Sequence, residues 1–174
     1  MAATDLAARI QRLEDRNAII DVVVKYATSI DAADWAGFAS LFTDPVHIDF
    51  SEAGMPRADF PLDQFIGFAK QGLEPWDARQ HISPNHVVEF DEAEAGGAVC
   101  RSYMYAQHYK KGAPGGEIYL MRGSYDYYMV RTAQGWKITS LTMHVYWLEG
   151  NPDAAQETAQ DWRGVPANAE PPAP

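Results

Sequence analysis

The chain holds a single cysteine, Cys100, so no disulfide can form within it. Its cations are few: 14 Lys and Arg stand against 24 Asp and Glu, for a formal net charge of −10. A surface of that sign repels phosphate backbones and anionic lipid, which argues against nucleic-acid and membrane partners. No apolar run approaches the ~20 residues that span a bilayer. The start, Met1-Ala2-Ala3-Thr4-Asp5-Leu6, lacks the basic and apolar stretches of a secretory signal. With the lone cysteine, this makes the cytoplasm the expected location. Familiar reactive motifs are missing too. The five histidines show no HxH or HExxH spacing and no CxxC occurs, so no metal site is expected. GxSxG, the P-loop and the dinucleotide fingerprint are absent, so no cofactor is expected.

What remains is 174 residues, 47% of them hydrophobic, enough for one globular domain with a sizeable core. Residues 5 to 30 read as a helix, with Leu6, Ile10, Leu13, Ile20, Val24 and Ala27 as its apolar stripe. Asp34 is placed to cap a second helix over 34–42. A strand is predicted over 46–50, and a third helix from Pro61 to Gly72. Strands follow over 80–91, 97–110, 117–132 and 135–148, separated by Gly-rich turns. Helices first and then a run of long strands indicate an α+β fold, its helices on one face of a curved, mainly antiparallel sheet. The domain is expected to occupy residues 1–149. The segment 150–174 reads as a loose tail that Trp162 could anchor over a pocket mouth.

Few residues here suit catalysis, and they lie far apart in sequence. Asp31 follows the first helix; because Asp34 is the better placed N-cap, Asp31 is free to hold a histidine. His81 opens a strand in Arg79-Gln80-His81-Ile82-Ser83-Pro84-Asn85-His86. His81 and His86 differ by an odd number, so on a regular strand one faces in and the other out. An Asp that orients a His makes a general base without metal or cofactor. On the next strand Cys100, Ser102, Met104, Ala106 and His108 share one face, and Arg101, Tyr103, Tyr105 and Gln107 the other. The first set is small or apolar. It suits the concave side, with Ser102 and Met104 against a ligand and His108 beside His81. Phe50 and Tyr125 are expected to add aromatic wall for a flat apolar substrate. Cys100, predicted mid-strand, reads as structural. Many large residues on the later strands, including Tyr128, Tyr146 and Trp147, imply an outer face covered in a homo-oligomer.

The segment Leu13-Glu14-Asp15-Arg16-Asn17-Ala18-Ile19-Ile20-Asp21 to Asp31-Ala32-Ala33-Asp34-Trp35, with Leu41-Phe42-Thr43-Asp44, the start around His81 and the closing Gly135-Trp136-Lys137-Ile138, resembles SnoaL-like proteins. These form a branch of the NTF2-like superfamily of cone-shaped α+β barrels. Within it the pattern is similar to the scytalone dehydratase, bile-acid 7α-dehydratase and hexachlorocyclohexane dehydrochlorinase group. The resemblance implies an Asp–His base at Asp31 and His81, a helix tyrosine at Tyr26, and a second cavity histidine at His108. The dehydrochlorinase's last-strand arginine falls near Leu141 here, and the bile-acid enzymes' middle-strand acid near Ala106. The implied activity is a cofactor-independent lyase. It would eliminate water from a hydroxylated aromatic or polycyclic small molecule, with Tyr26 donating to the developing charge and His108 protonating the leaving group. The same base could release an aldehyde by a retro-aldol step or move a double bond. A non-catalytic binding module is the rival from another class. The resemblance also favours a trimer over a dimer.

Overall fold

The computed structural model of the chain describes residues 2–91 and 96–155. The turn at 92–95 and the tail beyond 155, with the expected Trp162 anchor, lie outside them. Helix α1 runs Ala2–Ala32 and α2 Trp35–Ala39, followed by β1 Phe42–Asp49 and β2 Arg57–Phe60. Helix α3, Leu62–Leu73, leads into β3 Ala78–Ile82, β4 Val87–Phe90, β5 Gly97–Tyr109, β6 Ile118–Thr132 and β7 Gly135–Gly150. The sheet order is β2-β1-β7-β6-β5-β3, with β4 also on β5. All pairings are antiparallel except β1 with β7. The α+β class is as expected, but the sheet stays open: β2 and β3 are its two edges, and they do not pair to close a barrel.

Asp34 caps α2 as expected, its carboxylate accepting from the Gly37 N–H at 2.9 Å. Helix α2 is shorter than predicted, because Leu41 ends the turn and Phe42 already belongs to β1. The Leu62 N–H at the start of α3 is capped by Asp44 at 3.1 Å, which ties that helix to β1. The predicted strand over 80–91 is two strands. Pro84 cannot donate to a ladder and Asn85 takes φ 62°, so pairing to β5 breaks between Ile82 and Val87. The odd-number rule for His81 and His86 therefore does not apply across the break. His81 faces inward, and His86 is half-buried with its Nε2 shielded from water. The edge strand β2 escaped sequence reading because it is only four residues long.

Helix α1 turns a different face to the core from the one predicted. Ile19, Val23, Tyr26, Ala27 and Ile30 are buried, while Leu6, Ile10, Leu13 and Val24 are exposed. Between Ile19 and Val24 apolar residues lie all round the helix, so periodicity cannot select a side. The choice is made by contacts to the sheet. Asp15 accepts from Trp136 Nε1 at 3.4 Å and pairs with Arg131, pinning the helix across the ends of β6 and β7. The Arg131 guanidinium also holds that carboxyl below its usual range.

A candidate active site

The last turn of α1 delivers Asp31, and β3 delivers His81 fifty residues later. The Asp31 carboxylate accepts the His81 backbone N–H at 2.9 and 3.1 Å through its two oxygens. It also lies 2.8 Å from His81 Nδ1. The same side chain thus docks the strand on the helix end and orients the ring. With a carboxylate at Nδ1, that nitrogen carries the proton and Nε2 is left with its lone pair. The His81 side chain is 7% exposed and Asp31 25%. His81 faces Ala106 across the ladder, and that small partner leaves room in front of the ring.

The middle strand alternates as expected. Cys100, Ser102, Met104, Ala106 and His108 are buried, and Tyr103 is exposed. Depth decides which of them meet the cavity. Ala106 and His108 line it, but Ser102 and Met104 do not; they belong to the packed interior, so their expected ligand contacts are corrected here. Cys100 is inert in this setting, its thiol pushed up to about 11 by burial.

His108 sits diagonally from His81, ring centroids 5.5 Å apart, in an aromatic slot between Trp76 at 5.1 Å and Tyr119 at 6.1 Å. It is 5% exposed and its Nδ1 is buried without a hydrogen-bond partner of good geometry. Burial, and then the neighbouring His81, push its pKa down to about 4, against a weaker pull from the Tyr119 backbone. A histidine so held is uncharged near neutrality. It meets a ligand as a neutral hydrogen-bonding group and not as the cationic acid that protonation of a leaving group would need.

The cavity in front of these rings measures about 380 Å³. Phe50 and Tyr125 line it as expected, joined by Phe60, Phe65, Trp76 and Met121, residues not assigned to it in advance. Tyr26 lies on another wall, packed edge-on against Tyr125 and Tyr127 and tilted on Phe38. Its hydroxyl shares a hydrogen bond with that of Tyr125. Burial raises the pKa of both phenols, so they remain neutral. At the mouth, Asn151 fastens the chain after β7, donating to the Pro114 and Gly116 carbonyls at 2.9 Å each. That brings Pro152, Asp153 and Ala155 onto the rim.

Arg79 is the residue sequence reasoning missed. It stands two residues before His81, hence on the same face of β3, and that parity was a usable signal. Its Nε donates to the Ile30 carbonyl at 2.7 Å and its Nη1 to the Leu73 carbonyl at 2.9 Å. One planar fork thus closes the C-terminal ends of α1 and α3, where the helix dipoles favour a cation. Ile30 directly precedes Asp31, so the fork sets where the carboxylate stands. Arg79→Met is expected to lower kcat about tenfold with KM little changed, through loss of alignment. It should also broaden the downfield Nδ1–H proton signal of His81, and Arg79→Lys should restore it in part. Unchanged kcat and an unchanged signal in Arg79→Met would show the fork to be structural only.

A family model described as a SnoaL-like domain matches residues 11–142. Among solved structures, the Kfla4162 protein of Kribbella flavida is 29% identical, with a TM-score of 0.76 over 83% of this chain and 99% of its own. A protein named as a candidate aromatic ring hydroxylase, from Novosphingobium aromaticivorans, is 27% identical, with a TM-score of 0.72 over 82% and 97%. Hexachlorocyclohexane dehydrochlorinase LinA-type3 of Novosphingobium barchaimii LL02 shares the fold at 16% identity, TM-score 0.69, over 83% and 94%. No curated protein matches by sequence.

Proposed function

The chain belongs to the SnoaL-like family, and from that premise we propose that it is a cofactor-independent lyase that uses Asp31 and His81 as a general base on a hydroxylated aromatic or polycyclic small molecule. One observation carries the reading. A carboxylate holds Nδ1 of a shielded histidine at 2.8 Å, and the ring lines an apolar cavity large enough for a ring system. The dehydrochlorinase among the structural neighbours is an eliminating enzyme on the same fold; the reaction assigned here rests on the dyad. His81 Nε2 takes a proton from substrate carbon, and that electron pair forms the double bond. The C–O bond breaks, and the imidazolium returns the proton to the departing oxygen, which leaves as water. Asp31 stabilises the imidazolium in between. Tyr26, or Tyr125 through it, donates to the oxygen on which charge develops. His108 holds a hydroxyl elsewhere on the substrate.

The test is incubation of the full chain with a panel of hydroxylated aromatic and steroid-like compounds, read by mass. Loss of water is expected. Loss of formaldehyde would assign the same base to retro-aldol cleavage, a changed absorbance spectrum at constant mass would assign it to double-bond migration, and a panel with neither change would leave a binding module.

The reading includes assembly with further copies, as a trimer. Tyr128, Tyr146 and Trp147 stand exposed on the outer side of β6 and β7, an apolar area that self-association would cover. Sedimentation at micromolar concentration is expected to give a particle three times the chain's mass. A monomer-sized particle would overturn the assembly.

A further inference from the structure

We propose that the cavity accepts electrically neutral ligands and that Asp153 on its rim turns anions away. This rests on the reading of the cavity as the substrate site and narrows the substrate class. Among the described residues, the ionisable groups that line it are Tyr26, His81, His108, Tyr119, Tyr125 and Asp153. None is a lysine or arginine. The inward-facing cation nearest the dyad, Arg79, is turned to the Ile30 and Leu73 carbonyls and does not reach the wall. Any positive charge on His81 is matched by the Asp31 carboxylate 2.8 Å away, so the pair is at most neutral. The phenols are raised and His108 is lowered in pKa, all chiefly by burial, so these groups offer hydrogen bonds without charge.

An anionic group carried into this space would lose its water and meet no cation. Its approach is opposed as well. Asp153 is exposed at the mouth, held there by its N–H on Asn151 Oδ1 at 3.0 Å, and the whole chain carries a formal −10. A neutral aromatic with hydroxyl groups meets neither penalty. Its rings face Phe65, Met121 and Trp76, and its hydroxyls find the phenols and the buried Nδ1 of His108.

A matched pair of fluorescent probes tests this without knowledge of the substrate. N-phenyl-1-naphthylamine is uncharged, and 8-anilino-1-naphthalenesulfonate is the same skeleton with a sulfonate. Titrated into the full chain, the neutral probe is expected to bind at least about tenfold more tightly. Asp153→Lys, a rim change that leaves the core untouched, should tighten the sulfonate several-fold and leave the neutral probe as it was. Ala106→Trp or Met121→Trp, either of which fills the cavity, should abolish the signal and so locate it. Equal or tighter binding of the sulfonate by the unmodified chain, or no binding of either probe, overturns the proposal. No effect of Asp153→Lys on the sulfonate removes Asp153 from it. Neither probe reacts, so the ratio is independent of catalysis. A substrate panel that fails while the ratio holds would sink the lyase reading alone.

Discussion

Asp31→Asn is expected to lower turnover by about 10²–10⁴-fold while the fold survives. The carboxylate does two jobs. It accepts the His81 backbone N–H at 2.9 and 3.1 Å, and it accepts from the ring at 2.8 Å. An asparagine oxygen can still take the backbone N–H, so strand β3 stays docked on α1. The amide brings no charge, however. The imidazolium formed during proton transfer loses its partner, and an amide N–H facing Nδ1 favours the wrong tautomer. The stability cost should stay near 1 kcal/mol, the scale of one altered hydrogen bond. The check is kcat/KM on whichever panel compound reacts, beside thermal unfolding by circular dichroism. Turnover within a few-fold of the unmodified chain, at unchanged stability, would remove Asp31 from the mechanism.

The other large effect is on acid stability. His108 titrates near 6.5 in the unfolded chain but at about 4 in the folded one, through burial and then His81. The sign follows directly. Below pH 6.5 the unfolded chain takes up a proton that the folded chain refuses, so stability falls with pH until the folded residue also protonates near 4. The full penalty is roughly 3 kcal/mol, for a side chain almost wholly buried. Above pH 6.5 this contribution is absent. Carboxylates whose pKa is lowered in the fold, such as Asp15 and Asp77, weaken it too, but below the ordinary carboxylate range. Urea midpoints across pH 4 to 7 should therefore slope for the unmodified chain and slope less in His108→Gln, where His86, also lowered by burial, still contributes. Equal slopes in both would mean that burial does not hold His108 neutral.

Much of this molecule is set by short-range rules that sequence carries openly. The period-two split of β5 put Ala106 and His108 inside and Tyr103 outside, because a strand cannot turn neighbours to one face. Asp34 capped α2, because an unpaired amide at a helix start needs a nearby oxygen. Gly135, at φ 103°, turns β6 into β7 where a side chain would be strained. Other features are decided by parts distant in sequence. The face of α1 was ambiguous while apolar residues surrounded it, and the sheet resolved it through Asp15, Trp136 and Arg131. Ser102 and Met104 pointed inward as expected, yet how far the cavity reaches depends on where α3 and the β7 exit close it. The edge strands were left unpaired because no local rule makes a curved sheet close. By itself the sequence determined that a carboxylate stands at the end of the first helix and that a histidine lies on a strand fifty residues on. That they meet at 2.8 Å is a tertiary fact, made by one arginine fork that seats two helix ends against β3.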